Sequence, residues 1–266
     1  MPRPSADPSP PVSPVAAGLV WARPARAAAR GQRPALSRDQ IVQAAIALAD
    51  AEGAHALTIR RLATRLGSGA MSLYWHVASK NDLLDLLIDA VYGEDPVPPR
   101  SPDGWRADLR QIAQQTRRLM HRHPWLAALA GNRALLGPNV LARMDALLGI
   151  LDRPGLDATS AMGLLGTLNA YVTGFVLSEL GEADAIRRTG QTEQEFRLAA
   201  APYVQEQVIS SGRYPHLARY VLDGQDRDAE AEFDFGLSCL LDGIAARFDM
   251  LDGTAARREP RPPSVR

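Results

Sequence analysis

Cysteine is all but missing from this chain. Cys239 is the only one in 266 residues, so no disulfide can form within a molecule, and the pattern suits a reducing cytoplasm. Cys239 itself falls in a helical apolar pattern and reads as a small core residue. Metal-ligating spacings are missing as well: His121 and His123 stand two apart, and a helix would point them in different directions. There is no phosphate loop and no nucleophile elbow. With no catalytic constellation in view, the expectation is a protein that is not an enzyme and carries no cofactor or metal. A run of 18 uncharged apolar residues is absent, and the first residues hold Arg3 and prolines where a signal peptide would hold a continuous apolar core. These absences predict a soluble, cytoplasmic chain with no membrane partner. Lysine is scarce too: Lys80 stands alone beside 29 arginines, so the position of an arginine says more here than the number of them.

What the chain does have is apolar residues, 46% of the total, ample for one large or two modest cores. Net charge is zero, yet residues 1–80 carry ten Lys and Arg against four Asp and Glu, while residues 81–266 carry twenty against twenty-six. A basic front and an acidic remainder suit a nucleic-acid reader joined to a body kept off nucleic acid. Proline marks the joints. Residues 1–35, rich in Pro, Ala, Ser and Arg without periodicity, read as a disordered basic arm. Its Arg23, Arg26, Arg30 and Arg33 could enter a minor groove or lend only diffuse attraction. Residues 94–102 read as a short, stiff, proline-rich linker. Residues 36–93 then form one helical domain, 103–250 a larger one, and 251–266 a disordered tail. The fold class expected is all-α.

The remainder is organised around residues 57–80. Ile59, Leu62, Ala63 and Leu66 recur at helical spacing, with Thr58 as N-cap and Gly67 as a left-handed stop. A turn through Ser68 and Gly69 leads to a second pattern, in which Leu73 and Val77 face inward and Ser72, Trp75 and His76 outward. Helix, glycine-containing turn and second helix form the arrangement in which the second helix enters the DNA major groove. Tyr74, Trp75, His76 and Lys80 would place donors and one cation where phosphates lie, and Arg60 faces outward from the first helix. Ala70 and Met71 could meet a thymine methyl. Ser37 with Gln40 caps a bracing helix carrying Ile41, Ala44, Ala45 and Leu48, and Ser79 with Asp82 caps another carrying Leu83, Leu84, Leu87 and Val91. Lys80 in the first turn of that helix opposes the helix dipole, a conflict that a facing phosphate would relieve.

Several short runs keep unbroken spacing over 36–93: Ile41 with Ala44 and Ala45, Ala51-Glu52-Gly53, Leu57-Thr58, Arg61-Leu62-Ala63, Leu66-Gly67, Ser72-Leu73-Tyr74-Trp75-His76-Val77, and Lys80 followed by Leu83-Leu84. In these the stretch resembles the DNA-binding domain of the tetracycline-repressor (TetR/AcrR) family of bacterial transcription regulators. The run from Leu73 to Val77 points to the branch with a tetracycline-repressor-like C-terminal domain. Ser68 departs from the pattern, standing where the family usually has a small apolar residue. The resemblance implies an N-terminal three-helix helix-turn-helix domain plus a larger helical domain for ligand binding and dimerisation. The residues expected at double-stranded DNA are Thr58, Arg60, Gly69, Ala70, Met71, Ser72, Tyr74, Trp75, His76 and Lys80. A two-fold homodimer, built from late helices at about 157–180 and 229–250, is implied as well. It would hold two reading helices about one DNA turn apart, roughly 34 Å, on a near-palindromic operator.

In the body, Gly163, Gly166 and Gly174 interrupt one long apolar helix, at a cost of about 1 kcal/mol each relative to alanine, which suggests close approach by another helix or a ligand. Thr192 with Glu195 opens a helix to about residue 209, residues 213–228 read as a polar loop, and the last helix spans about 229–250. His123, Trp125, Met144, Tyr171 and Phe175 are the candidates for the lining of a small-molecule pocket. Family members that bind tetracycline use a histidine and an acidic residue on a drug–magnesium complex; the resemblance matches His123 to the first and puts Glu179 near the second. The rest of that pattern is not recognisable, so tetracycline is not the expected effector. The function expected is a sequence-specific transcriptional regulator, a repressor released from its operator by a small molecule. An activator or effector-independent DNA binder would share the helix-turn-helix, and an all-helical enzyme or carrier would share the body.

Overall fold

The computed structural model describes residues 20–22, 36–129 and 136–256, and every regular element among them is helical. They fall into two compact units, Met1–Val97 with Asn132–Ala146, and Pro98–Gly131 with Leu147–Arg266.

In the first unit, α1 (Arg38–Glu52) opens on the expected capping box: the Ser37 hydroxyl accepts from the Gln40 amide at 3.1 Å, and the Gln40 side chain accepts from the Ser37 amide at 3.0 Å. After a 3-10 turn at Ala54–Ala56 come α2 (Ile59–Arg65), α3 (Ala70–Tyr74) and α4 (Lys80–Glu94). Thr58 caps α2 by accepting from the Arg61 amide at 3.2 Å. Gly67, at φ 61°, closes α2 in the left-handed conformation that a side chain would resist. Ile41, Ala45, Leu57, Leu62, Leu73, Val77, Leu83 and Leu87 are all buried, each large side chain among them contributing about 2 kcal/mol. Leu62 from α2 and Leu73 from α3 thus fix the angle at which α3 is presented. Arg61 and Glu52, 2.5 Å apart, tie α2 to the end of α1.

Within the stretch read as an arm, Val20–Ala22 is a 3-10 turn packed on α4, with Val20 buried. The arginines at 23, 26, 30 and 33 lie outside the described residues. So does the tail beyond Ala256; the last helix continues to that residue rather than stopping near 250.

Ser68 explains what its departure from the family pattern does. Its amide donates to the Ala63 carbonyl at 3.0 Å, sealing the end of α2, while its hydroxyl is buried with no hydrogen-bond partner. Replacing it with alanine removes that stranded group, so Ser68→Ala should stabilise the unit by about 1 kcal/mol. A thermal melt would show the rise, and a fall would mean that the hydroxyl is engaged.

The second unit is built on α5 (Trp105–Arg122), α6 (Pro124–Leu129), α8 (Ala158–Thr189), α9 (Glu193–Val204), α10 (Pro215–Asp223) and α11 (Ala229–Ala256); α7 (Pro138–Ile150) begins in the first unit and ends in the second. Asp157 caps α8, accepting from the Ser160 amide at 2.9 Å. Ala161, Leu165, Leu168, Val172 and Val176 are its buried face, which packs on α5, α6 and α11. By length and composition α8 could cross a bilayer, although Thr167, Asn169 and Thr173 break up its apolar run.

Two expectations are corrected. Cys239 is exposed rather than core: α11 turns Phe233, Leu237, Leu241, Ile244 and Phe248 inward, and a residue two places from Leu237 lies about 200° round the helix. The supposed loop at 213–228 contains α10. Pro215 at its start is pre-set for a helix, and Leu217, Tyr220 and Val221 recur at helical spacing among the Gly and Asp that suggest a loop. α9 runs on into a π-helical turn, Gln205–Ser210, just past Pro202, a residue that cannot supply its own helical N–H. Nothing in α9, that turn or α10 is buried. A cleft of 560 Å³ lies there, lined by Phe196, Val204, Ile209, Tyr220 and Val221.

Candidate DNA-reading face and effector-side cluster

α3 is only five residues long, and Leu73 and Val77 anchor it and the turn that follows. Everything else it carries is left at the surface. Met71 is 70% exposed, Trp75 68% and Tyr74 48%, an unusual concentration of large apolar surface on so short an element. Gly69 precedes them as N-cap, Ser72 is exposed, and Ala70 and His76 are half-buried. The start of α4 is held just as firmly. The Ser79 hydroxyl accepts from the Asp82 amide at 3.0 Å and donates to the Asp82 carboxylate at 2.9 Å, and the Ala78 amide donates to the same carboxylate at 3.3 Å. Asp82 is thereby occupied, and Lys80 projects from the first turn with no carboxylate paired to it among the described residues. Arg60 is exposed, whereas Arg61 is spent on Glu52. Thr58 is exposed too, but its oxygen is already the cap of α2, leaving its O–H as the group free to donate. The arrangement can offer donors, one lysine and one arginine, and apolar rings to a polyanion with apolar edges.

In the second unit, α8 carries Tyr171, Phe175 and Glu179 four residues apart, and all three converge on one cluster. The Tyr171 hydroxyl donates to the Phe233 carbonyl at 2.7 Å, and Phe233 stands edge-on to Phe175 at 5.2 Å. Gly236 permits this, since a Cβ there would lie 2.5 Å from the Tyr171 oxygen. Over the rings lies Arg117, 4.6 Å from the Phe233 centroid. It grips Glu179 with two hydrogen bonds, at 2.5 and 3.1 Å, and Glu230 with one at 2.5 Å. His121 meets Glu179 at 2.7 Å. Burial pushes the Glu179 carboxyl up, but Arg117 and His121 outweigh it and hold the group below the usual glutamate range. Hydrogen bonds to Glu179 in turn raise the Arg117 guanidinium, against the effect of burial.

His123 and Trp125 are buried side by side, ring centres 5.9 Å apart, at the corner of α5 and α6. Met144 is half-buried and belongs to the stretch counted with the first unit. Arg117, His121 and Phe233 were missed from the sequence. Arg117 could have been found from a pair of matched polar stripes: Arg106, Arg110, Gln114 and Arg117 on α5 against Asp242, Ser238, Asp234 and Glu230 on α11. The structure joins them rung by rung in antiparallel order.

Comparison with known proteins bears on both units. Residues 41–87 match the family model described as bacterial regulatory proteins, tetR family, and residues 97–248 match the tetracyclin repressor-like C-terminal domain. The chain is 40% identical to the HTH-type transcriptional repressor DrrR1 of Streptomyces coeruleorubidus, over 85% of this chain and 83% of that one. It is 33% identical to the class A tetracycline repressor protein from transposon 1721 of Escherichia coli, over 80% and 92%. Among solved structures, the TetR family protein ActR of Streptomyces coelicolor in complex with actinorhodin superposes with a TM-score of 0.69 at 30% identity, covering 80% of this chain and 97% of that one.

Proposed function

The chain belongs to the tetR family of bacterial regulatory proteins, and from that premise we propose that it is a dimeric repressor that leaves a near-palindromic operator when a small molecule enters its body. The observation that carries this reading is the exposed set of Met71, Tyr74 and Trp75 beside Lys80, presented by a rigidly capped pair of helices. Thr58, Arg60, Gly69, Ala70, Met71, Ser72, Tyr74, Trp75, His76 and Lys80 then form the DNA face, with phosphate contacts setting position and base-edge contacts setting sequence. Such a protein works in the cytoplasm. The effector lies against Tyr171, Phe175 and Glu179, with Arg117 and Phe233 completing the wall, and His123 and Trp125 are further candidates for its contacts. ActR, which holds actinorhodin in its complex, supports a small-molecule effector without fixing which one.

The dimer is supported by glycines that the protomer does not need. A Cβ at Gly163, Gly166, Gly174, Gly181 or Gly243 would meet nothing within 4 Å. Each helical glycine costs about 1 kcal/mol against alanine. Close approach by a second copy of α8 and α11 gives them a purpose and covers the apolar face that makes α8 resemble a membrane span.

Fluorescence anisotropy with the duplex upstream of the gene, across a salt series, tests the DNA face. Lys80→Ala should weaken binding to all duplexes alike and lower the slope of log K against log salt by about one. A loss confined to one sequence, with the slope unchanged, would remove Lys80 from the phosphate contacts.

A further inference from the structure

α7 has no capping side chain of its own. The residue before its first turn is Gly137, whose carbonyl takes the first helical bond, from the Leu141 amide at 2.9 Å. The cap comes instead from α4, 48 residues earlier in the chain. Asp89, 3% exposed, accepts with one carboxylate oxygen from the amides of Asn139 at 2.9 Å and Val140 at 3.0 Å. Its other oxygen accepts from the Asn139 side chain at 3.0 Å, and that same amide group donates to the Asp89 backbone carbonyl at 3.1 Å.

Two glycines make room for this joint. A Cβ on Gly137 would overlap the Asp89 carboxylate, and one on Gly93 would lie 2.7 Å from the Asn139 side chain. One turn along, Arg143 sits over the Tyr92 ring at 5.4 Å. A carboxylate buried this deeply is costly unless it is fully hydrogen-bonded, and a helix N-terminus is a site that offsets the cost. A local Ser or Asp at position 137 would cap α7 at less expense, so a cap borrowed from another helix calls for a reason other than helix stability. The course of the chain supplies one. α7 is a continuous helix whose first turns are counted with the DNA-reading unit and whose last turn, Leu147–Ile150, is counted with the other. Lys80, at the start of α4, is rigidly connected to Asp89 by nine residues of the same helix.

We infer that Asp89 is a positioning residue: the cap it lends to α7 fixes α4, and with it Lys80 and α3, in the orientation that fits the operator. This rests on the DNA-binding reading given above. Without the tie only a fraction of molecules hold the fitting orientation, and apparent affinity falls by that fraction. The contacts made once bound stay the same.

The test separates this role from simple stabilisation by moving the cap. Asp89→Ala removes the tie. A Cβ at position 89 would still lie 2.6 Å from one at position 137, so the cap is moved with Asp89→Gly plus Gly137→Ser, which gives α7 a cap of its own and leaves α4 untied. That double variant is compared with Asp89→Gly alone. Melting temperature, amide exchange at Asn139 and Val140, and affinity for the upstream duplex are measured on the full chain. We expect Asp89→Ala to raise the Kd about tenfold with an unchanged salt slope. The double variant should recover melting temperature and amide protection but not affinity. Recovery of affinity together with stability would overturn the proposal, as would an Asp89→Ala chain that binds like the wild type. If Asp89→Ala does not fold, Asn139→Ala, which keeps both backbone amides on Asp89, should show a smaller loss of affinity in the same sense. A wild-type chain that binds no duplex would instead sink the DNA-binding reading itself.

Discussion

Gly166→Arg combined with Gly174→Arg should turn the protein into a 28.7 kDa monomer, and the affinity for its operator should fall by about 10²–10⁴. In the protomer both positions point into open space, so the substitutions disturb no internal contact, and arginine favours a helix over glycine by about 1 kcal/mol. The protomer should therefore keep its helical circular dichroism spectrum. In the proposed dimer the same changes set long cations where two backbones approach across the two-fold axis, and like charges face their own copies. Losing the dimer loses the second reading head, whose binding is intramolecular once the first is engaged. Light scattering after size exclusion reads the mass, and anisotropy reads the affinity. A variant that still elutes at twice the protomer mass would mean that the glycine stripe of α8 faces something other than a second copy.

The helix-turn-helix could be read from the sequence because it is governed by local rules. Ser37, Thr58 and Ser79 cap the helices they were expected to cap, and Gly67 adopts the left-handed turn assigned to it. Leu73 and Val77 go inward because helical spacing leaves them no alternative. The places where the sequence misled are those decided by partners distant in the chain. The first unit ends at Val97, within the proline-rich stretch, and takes in the first turns of α7 from later in the chain as well. Nothing near Asn139 announces this, since its partner Asp89 looks like one more acid on an amphipathic helix. Cys239 was placed by hydrophobicity alone, and a shift of two residues on α11 turns it outward.

The effector-side candidates divide in the same way. Tyr171, Phe175 and Glu179 came together because a spacing of four puts them on one face of α8, which is visible in the sequence. Their common partner Arg117 was one arginine in a chain full of them, and only the matching acids on α11 distinguish it.

Arg117→Met should destabilise the second unit by about 3 kcal/mol, the size expected when one member of a largely buried ion pair is removed. The pair is well enclosed, with side-chain exposures of 11% for Arg117 and 15% for Glu179. Methionine keeps an apolar stem over the Phe233 ring, so most of the loss comes from Glu179 stranded with His121 alone. The pH dependence gives the sharper readout. In the wild type the Glu179 carboxyl is held below its ordinary value of 4.5, so the folded state favours the ionised form. That contribution is complete above 4.5 and is lost as pH falls through the lowered folded value. In the variant only His121 still opposes the effect of burial, so the carboxyl moves upward relative to the wild type and protonation on acidification relieves the stranded charge. The gap in melting temperature between the two proteins should therefore be widest near neutral pH and close as the pH is lowered toward 4.5 and below. Thermal melts between pH 7.5 and 4 would show it. Two curves that stay parallel over the whole range would mean that Glu179 does not depend on Arg117 for its charge, and that the cluster is held by its aromatic rings instead.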